Sequence, residues 1–353
     1  MAVPKSRQKA KSRQKDWAWE RYVGVENCIF PSFTPDFSDL DEEGIRHDVR
    51  QSIAHGFVST VCAVETGLSF DEAKRMVAIV AEEARGQILV SANLIFDSLD
   101  RHVEMVRHCA AVGCQSALLG YPFHFYPADA EEIYQASKRV AEAADVAILM
   151  YPSHKFNFGR LDPMGFPLSV IDRCLQIDNV VAIKMGLLEP GFIHEVYRRW
   201  NDDVVIEFPW ERWWPLLRSQ YRMQFAGAGA YELFQSPDNP LLVRYFNHLL
   251  ADEMEAAMEI YWRLTPARLT FEQQFMPTQA LGSYHWAQQK YYQFLTGGNG
   301  GYTRQPAMKL LQHELEEAKR ATRAIGLTPT DDDALFYEGR ANRARRLAGE
   351  GAR

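Results

Sequence analysis

The chain has 353 residues, of which 47% are hydrophobic, 24% charged and 12% aromatic, a composition that excludes extensive disorder, collagen-like repeats and a coiled-coil rod. Its length suits about two average domains, or one α/β barrel with an addition. The net charge of -7 is uneven: residues 1–24 hold seven Lys or Arg against two Asp or Glu, which leaves an acidic body of -12 and argues against nucleic acid as its partner.

Residues 1–24 repeat Lys5-Ser-Arg-Gln-Lys9 as Lys11-Ser-Arg-Gln-Lys15 without apolar periodicity, and are expected to be a basic, mobile, solvated arm. From 25 to about 250, short β-branched or apolar runs alternate with amphipathic stretches. Strands are predicted to begin near Cys28, Val58, Ile88, Ser116, Val146, Val180, Val204 and Gln224, and the first five recur at the spacing of one strand, one helix and two loops. Ser69 with Glu72 makes a capping box for a helix reaching Ala84. Asp129 and Glu131 place negative charge at the start of another that reaches Ala143, as the helix dipole favours. Eight such units predict an α/β fold of the (β/α)8 TIM-barrel type. The rival, a doubly wound sheet, lacks its Gly-x-Gly-x-x-Gly after the first strand. Residues 251–326 turn to helical stretches, 252–264, about 279–295 and 306–326, with Gly297-Gly-Asn-Gly-Gly301 as a breaker, and form a C-terminal helical extension. Residues 327–353 alternate acidic and Arg-rich stretches and are expected to be a frayed or partner-packing tail.

No apolar run reaches the roughly 18 to 20 residues that span a bilayer, and the N-terminus is charged, so a soluble, cytoplasmic protein is expected. Cys28, Cys62, Cys109, Cys114 and Cys174 lack Cys-x-x-Cys spacing and predict reduced thiols. The ten histidines form neither His-Glu-x-x-His nor His-x-His, so no metal is expected.

In such a barrel the catalytic groups sit at the C-terminal ends of strands. Those ends are Cys62-Ala-Val-Glu65, Gly120-Tyr-Pro-Phe-His124, Tyr151-Pro152, Lys184, Glu207 and Gly227-Ala-Gly229. Lys184 closes the run Val180-Val-Ala-Ile183, where an apolar mouth would lower its pKa and yield the neutral amine that attacks a ketone; a strand-terminal lysine is also often a solvated end cap. Tyr151 ends the neighbouring strand, about 4.8 Å away, as a proton relay or a packed phenol. Trp210-Glu-Arg-Trp-Trp214 is suited to wall a pocket for an aromatic or extended apolar group, or to pack in the core or a subunit interface. Gly227 and Gly229 admit a close substrate or relieve crowding.

Taken in order, Thr34-Pro35, Tyr151, Val180-Val-Ala-Ile-Lys184-Met-Gly186 and Gly301-Tyr-Thr-Arg-Gln-Pro306 resemble the dihydrodipicolinate synthase and N-acetylneuraminate lyase family of pyruvate-type class I aldolases, over roughly residues 25–326. The resemblance implies a barrel, commonly a homotetramer, in which Lys184 forms an imine with a 2-oxo acid and Tyr151 relays protons without a cofactor. The family's second strand usually ends in Gly-Thr-Thr-Gly-Glu, which holds the substrate carboxylate. Here it reads Val61-Cys62-Ala63-Val64-Glu65, which points away from pyruvate itself. In place of the family's carboxylate-binding arginine stand Lys155 or His154, or these are plain surface residues; in place of a tyrosine of its proton relay stand His124 or Tyr126 of Phe123-His124-Phe125-Tyr126, or these belong to a packed aromatic loop. The expected function is thus a class I Schiff-base aldolase or lyase acting on a small-molecule 2-oxo acid and an aldehyde. Its expected substrate contacts are Cys62, Ala63, Glu65, His124, Lys155, Trp210 and Gly227, and its assembly a homo-oligomer, tetramer or dimer. Two alternatives stand beside it: a non-catalytic binding or regulatory barrel, and a barrel enzyme using Lys184 as a non-covalent general base.

Overall fold

The computed structural model describes residues 12–227, 229–280, 285–304 and 309–351. Eight parallel strands, β1 Gly24–Ile29, β2 Ser59–Cys62, β3 Leu89–Leu94, β4 Ser116–Leu119, β5 Ala147–Met150, β6 Val180–Lys184, β7 Val205–Glu207 and β8 Phe225–Ala226, pair in sequence order and close, β8 on β1, into a barrel. Every strand residue is buried, because one face fills the interior and the other lies under the helices. β1 starts four residues earlier than expected, and the other seven start within one residue of expectation.

Local chemistry sets the helix starts. The Ser69 hydroxyl accepts the Glu72 backbone N–H, and the Glu72 carboxylate accepts that of Ser69, so the capping box opens the helix Phe70–Ala84. Asp129 caps Ala130–Ala141 by accepting from the Glu132 N–H.

Part of the stretch expected to be a mobile arm is ordered. Residues 1–11 lie outside the described set, but Arg13–Arg21 is a helix capped by Ser12. Ala18 and Tyr22 are fully buried, Trp17 meets Tyr22 edge-on, and the Tyr22 hydroxyl donates to Ser116 Oγ at the N-terminal end of β4 (2.7 Å). Two helical turns bring too few apolar residues to show a period in the sequence, yet enough to cover the base of the barrel.

The extension comprises Met254–Arg263, Thr265–Thr270, a π turn at Phe271–Phe275, Met276–Ala280, Trp286–Leu295 and Gln312–Ala324. The start expected at Pro306 lies outside the described residues. In the breaker, Gly297, Gly300 and Gly301 all take positive φ, which glycine adopts without a Cβ clash. The tail is not frayed: Asp333–Glu338 and Arg340–Gly351 are helical, Phe336 packs on Tyr291 and Phe294, and Asn342 Nδ2 donates to the Phe33 carbonyl. A buried two-pronged ion pair from Arg268 to Glu211 fastens the extension to the loop after β7. All five cysteines are free and buried, and no helix among the described residues is long and apolar enough to cross a membrane.

Because the capping box satisfies two helix-end donors, Ser69→Ala should lower stability by about 1 kcal/mol. The expected sign is a lower denaturant midpoint with an unchanged slope.

Candidate active site

Barrel register assembles the site. Lys184 pairs directly with Glu207 across β6 and β7; Met150 with Ile183 places Tyr151 beside Lys184; Val25 with Ala226 places Glu26 beside Gly227; and Glu26 pairs with Ser59. In-register neighbours of a parallel sheet present side chains to the same face, so these residues form one inward-facing belt.

Lys184 Nζ donates to Glu207 Oε1 at 2.5 Å and lies 3.7 Å from Glu26 Oε1, while Ser59 Oγ donates to Glu26 Oε2 at 2.5 Å. Lys184 is 6% exposed, Glu26 1% and Glu207 0%. The expected depression of the lysine pKa does not occur. Burial pushes it down, but Glu207 and Glu26 outweigh burial and the net direction is up. The resting amine is therefore protonated.

Burial, and then Glu207, push the Glu26 carboxyl up to about 8, and burial raises Glu207 against the opposing pull of Lys184. Both acids are thus held above the usual carboxylate range, Glu26 by burial and the nearby Glu207, and Glu207 by burial. Gly227 makes this possible: a Cβ there would stand 2.4 Å from Glu26 Cβ and 3.1 Å from Glu207 Oε1. Its missing side chain houses the two acids, where a substrate contact was expected.

In front of Lys184 lies a cavity of about 40 Å³, walled by Tyr151, His154, Met185, Trp210, Phe271 and Phe275. Trp210, expected here, is held through Nε1 to Met276 Sδ (3.4 Å). A Cβ on Gly186 would come within 2.5 Å of the Tyr151 ring, so glycine lets the phenol lie across β6. The remaining expected contacts are elsewhere. Ser59 faces the interior, and Val61 and Ala63 join Cys28, Phe30 and Trp286 in a separate apolar cluster. By strand alternation Cys62 points outward, into the main core, and does not reach the mouth. Trp286 covers Phe30, Val61 and Ala63, so an apolar plug stands beside the second strand's end. Glu65 accepts from Asn93 Nδ2 (3.0 Å); burial raises its carboxyl, with Lys155 opposing. The Lys155 ammonium sits 5.7 Å from the centre of the Trp286 ring. His124 is exposed on the loop after β4 and does not line the cavity.

Sequence reasoning passed over Glu26, Phe271, Phe275 and Trp286, and placed Glu207 at a strand end without giving it a role. A carboxylate inside an otherwise apolar strand was the available signal for Glu26. Nothing local marked the extension's aromatic residues as neighbours of Lys184. Among the described residues, no group of three or more His, Cys, Asp or Glu is disposed to hold a metal ion.

The dihydrodipicolinate synthetase family model matches residues 24–206, more than half of the chain and from the first residue of β1 through the Lys184 strand. The chain belongs to this family. Among its relatives are the 4-hydroxy-tetrahydrodipicolinate synthases of Syntrophobacter fumaroxidans (26% identical over 236 residues, 64% of this chain and 76% of the relative) and Methanothrix thermoacetophila (26% over 250 residues, 67% and 79%). Similar solved structures include dihydrodipicolinate synthase from Oceanobacillus iheyensis (TM-score 0.72, 18% identity, 88% of this chain and 98% of that one) and N-acetylneuraminate lyase from Fusobacterium nucleatum (TM-score 0.71, 17%, 86% and 99%). At these identities the structures speak for the fold, and the family membership makes this an enzyme of the aldolase and lyase superfamily.

The raised Glu26 carboxyl has a pH consequence. A carboxyl whose folded pKa exceeds its unfolded value contributes stability that is full below about 4.5 and is lost as pH rises through about 8. The wild type should therefore lose melting temperature between pH 6 and about 8.5 more steeply than Glu26→Gln, measured by paired thermal scans at both pH values.

Proposed function

We propose that this protein is a class I, Schiff-base-forming aldolase or lyase that makes or breaks a carbon–carbon bond in a 2-oxo acid, with Lys184 as the imine-forming amine and Tyr151 as the proton relay. The observation that carries this reading is the placement of Lys184: a buried amine at the C-terminal end of β6, facing a cavity, with Tyr151 in register on the next strand. An amine so placed can add to a keto carbon, and the protonated imine then accepts electrons from the adjacent carbon as its bond to hydrogen or carbon breaks. The imine is the electron sink, so the scheme calls on no cofactor. His154, on the loop after β5 and in the cavity wall, supplies a hydrogen-bonding group for the substrate carboxylate. The wall of Trp210, Phe271 and Phe275 suits an aromatic or extended apolar portion of the aldehyde partner. Use of Lys184 as a free general base fits less well, because its resting state is an ammonium paired with Glu207.

Borohydride reduction in the presence of pyruvate or phenylpyruvate should add the reduced probe's mass to the peptide bearing Lys184, and Lys184→Arg should show no such adduct. Failure of every 2-oxo acid to label Lys184 in folded wild type would sink the imine reading. Tyr151→Phe should still be trapped, while turnover falls by roughly 100-fold or more, the range for loss of a positioned proton carrier.

A further inference from the structure

We infer that Glu207 is a catalytic residue, which takes the ammonium proton of Lys184 as the amine adds to a carbonyl and returns it to the hydroxyl that departs. This rests on the reading of Lys184 as the imine-former. It adds a partner for the step which that reading leaves open, namely how a lysine that rests protonated becomes a nucleophile.

The geometry narrows the acceptor to one group. Glu207 Oε1 is 2.5 Å from Nζ and is brought there by direct cross-strand pairing, whereas the nearer oxygen of Glu26 stands at 3.7 Å. Glu207 is fully buried and Lys184 nearly so, so the group at hydrogen-bond distance from the ammonium is a carboxylate set behind the cavity. Glu207 Oε2 is buried and has no hydrogen-bond partner among the described residues, so the carboxylate's one close contact is the lysine nitrogen. A buried ion pair contributes little to stability compared with apolar residues of the same volume. Here three ionisable groups and a glycine hollow are maintained behind the cavity, an arrangement that stability alone does not call for.

The step balances without an outside acid or base. Lys184 transfers a proton to Glu207, giving a neutral amine and a carboxylic acid. The amine's electron pair forms the nitrogen–carbon bond and the carbonyl π pair moves to oxygen. Tyr151 passes a second proton from nitrogen to that oxygen, making a carbinolamine. The acid of Glu207 then protonates the hydroxyl, the carbon–oxygen bond breaks, water leaves and the iminium remains. The iminium and the Glu207 carboxylate restore the starting charges, so no proton is exchanged with solvent.

The pH dependence of trapping tests this. Folded enzyme is mixed with pyruvate or phenylpyruvate, quenched with borohydride at timed intervals, and the Lys184 adduct quantified by mass. Internal transfer predicts a wild-type rate that is flat between about pH 6 and 7.5, whereas Glu207→Gln, which must lose the proton to solvent, should be slower and gain up to about tenfold per pH unit. Glu207→Asp, which draws the carboxylate back by about 1.5 Å, should be trapped at least tenfold more slowly with the flat profile kept. It serves as the deciding variant if a melting curve shows Glu207→Gln unfolded. Equal rates and equal pH slopes in wild type and Glu207→Gln, or an undiminished rate in Glu207→Asp, would overturn the role of Glu207 while leaving the imine intact. No adduct in wild type would overturn both.

Discussion

Three ionisable groups share one buried layer of this barrel, and their mutual charge governs what the site can do. An isolated ammonium taken out of water is costly and would shed its proton; two carboxylates held together are costlier still, and one of them takes a proton up. Lys184, Glu207 and Glu26 temper one another: the two acids hold the amine's pKa up against burial, and the ammonium pulls both acids down against theirs. The barrel's closure is what permits it. β1 and β7 lie on either side of β8, and only because β8 is reduced to two residues followed by Gly227 can the acids from both neighbours meet above it.

Much of the fold was legible because a parallel barrel repeats a strong signal. Each strand is buried on both faces, so β-branched runs announce it, and caps such as Ser69 with Glu72 mark the helix starts. The placement of Lys184 and Tyr151 at adjoining strand ends was legible for a related reason, since the β-branched runs that precede them mark where each strand stops. Cys62 shows the limit of that rule: it stands at a strand end, but alternation turns it outward, and the phase of alternation follows from Ser59 and Val61 facing in. Glu26 and Glu207 lie far apart in the chain, and only barrel register reveals that they converge on one amine. The helix at Arg13–Arg21 and those of the tail escaped notice because they are short and charged, and owe their order to packing against the barrel and its extension.

The mouth departs from the resemblance more than the lysine does. Where the related pattern places hydroxyls at the end of the second strand, this chain has Val61 and Ala63 beneath Trp286. The open space lies instead over β5 to β8, between Tyr151 and Trp210. The polar groups that remain at the rim, Glu65, Asn93 and Lys155, hold one another or rest on Trp286.

The aromatic cover comes from a part of the chain well downstream of the strands that bear Lys184, Glu207 and Glu26. Phe271, Phe275 and Trp286 belong to one contiguous stretch, fastened through Arg268 to Glu211. The charged cluster and part of the apolar wall before it are in this way written in separate passages of the polypeptide, so exchange of the downstream block would reshape the cavity and leave Lys184 and its two acids in place.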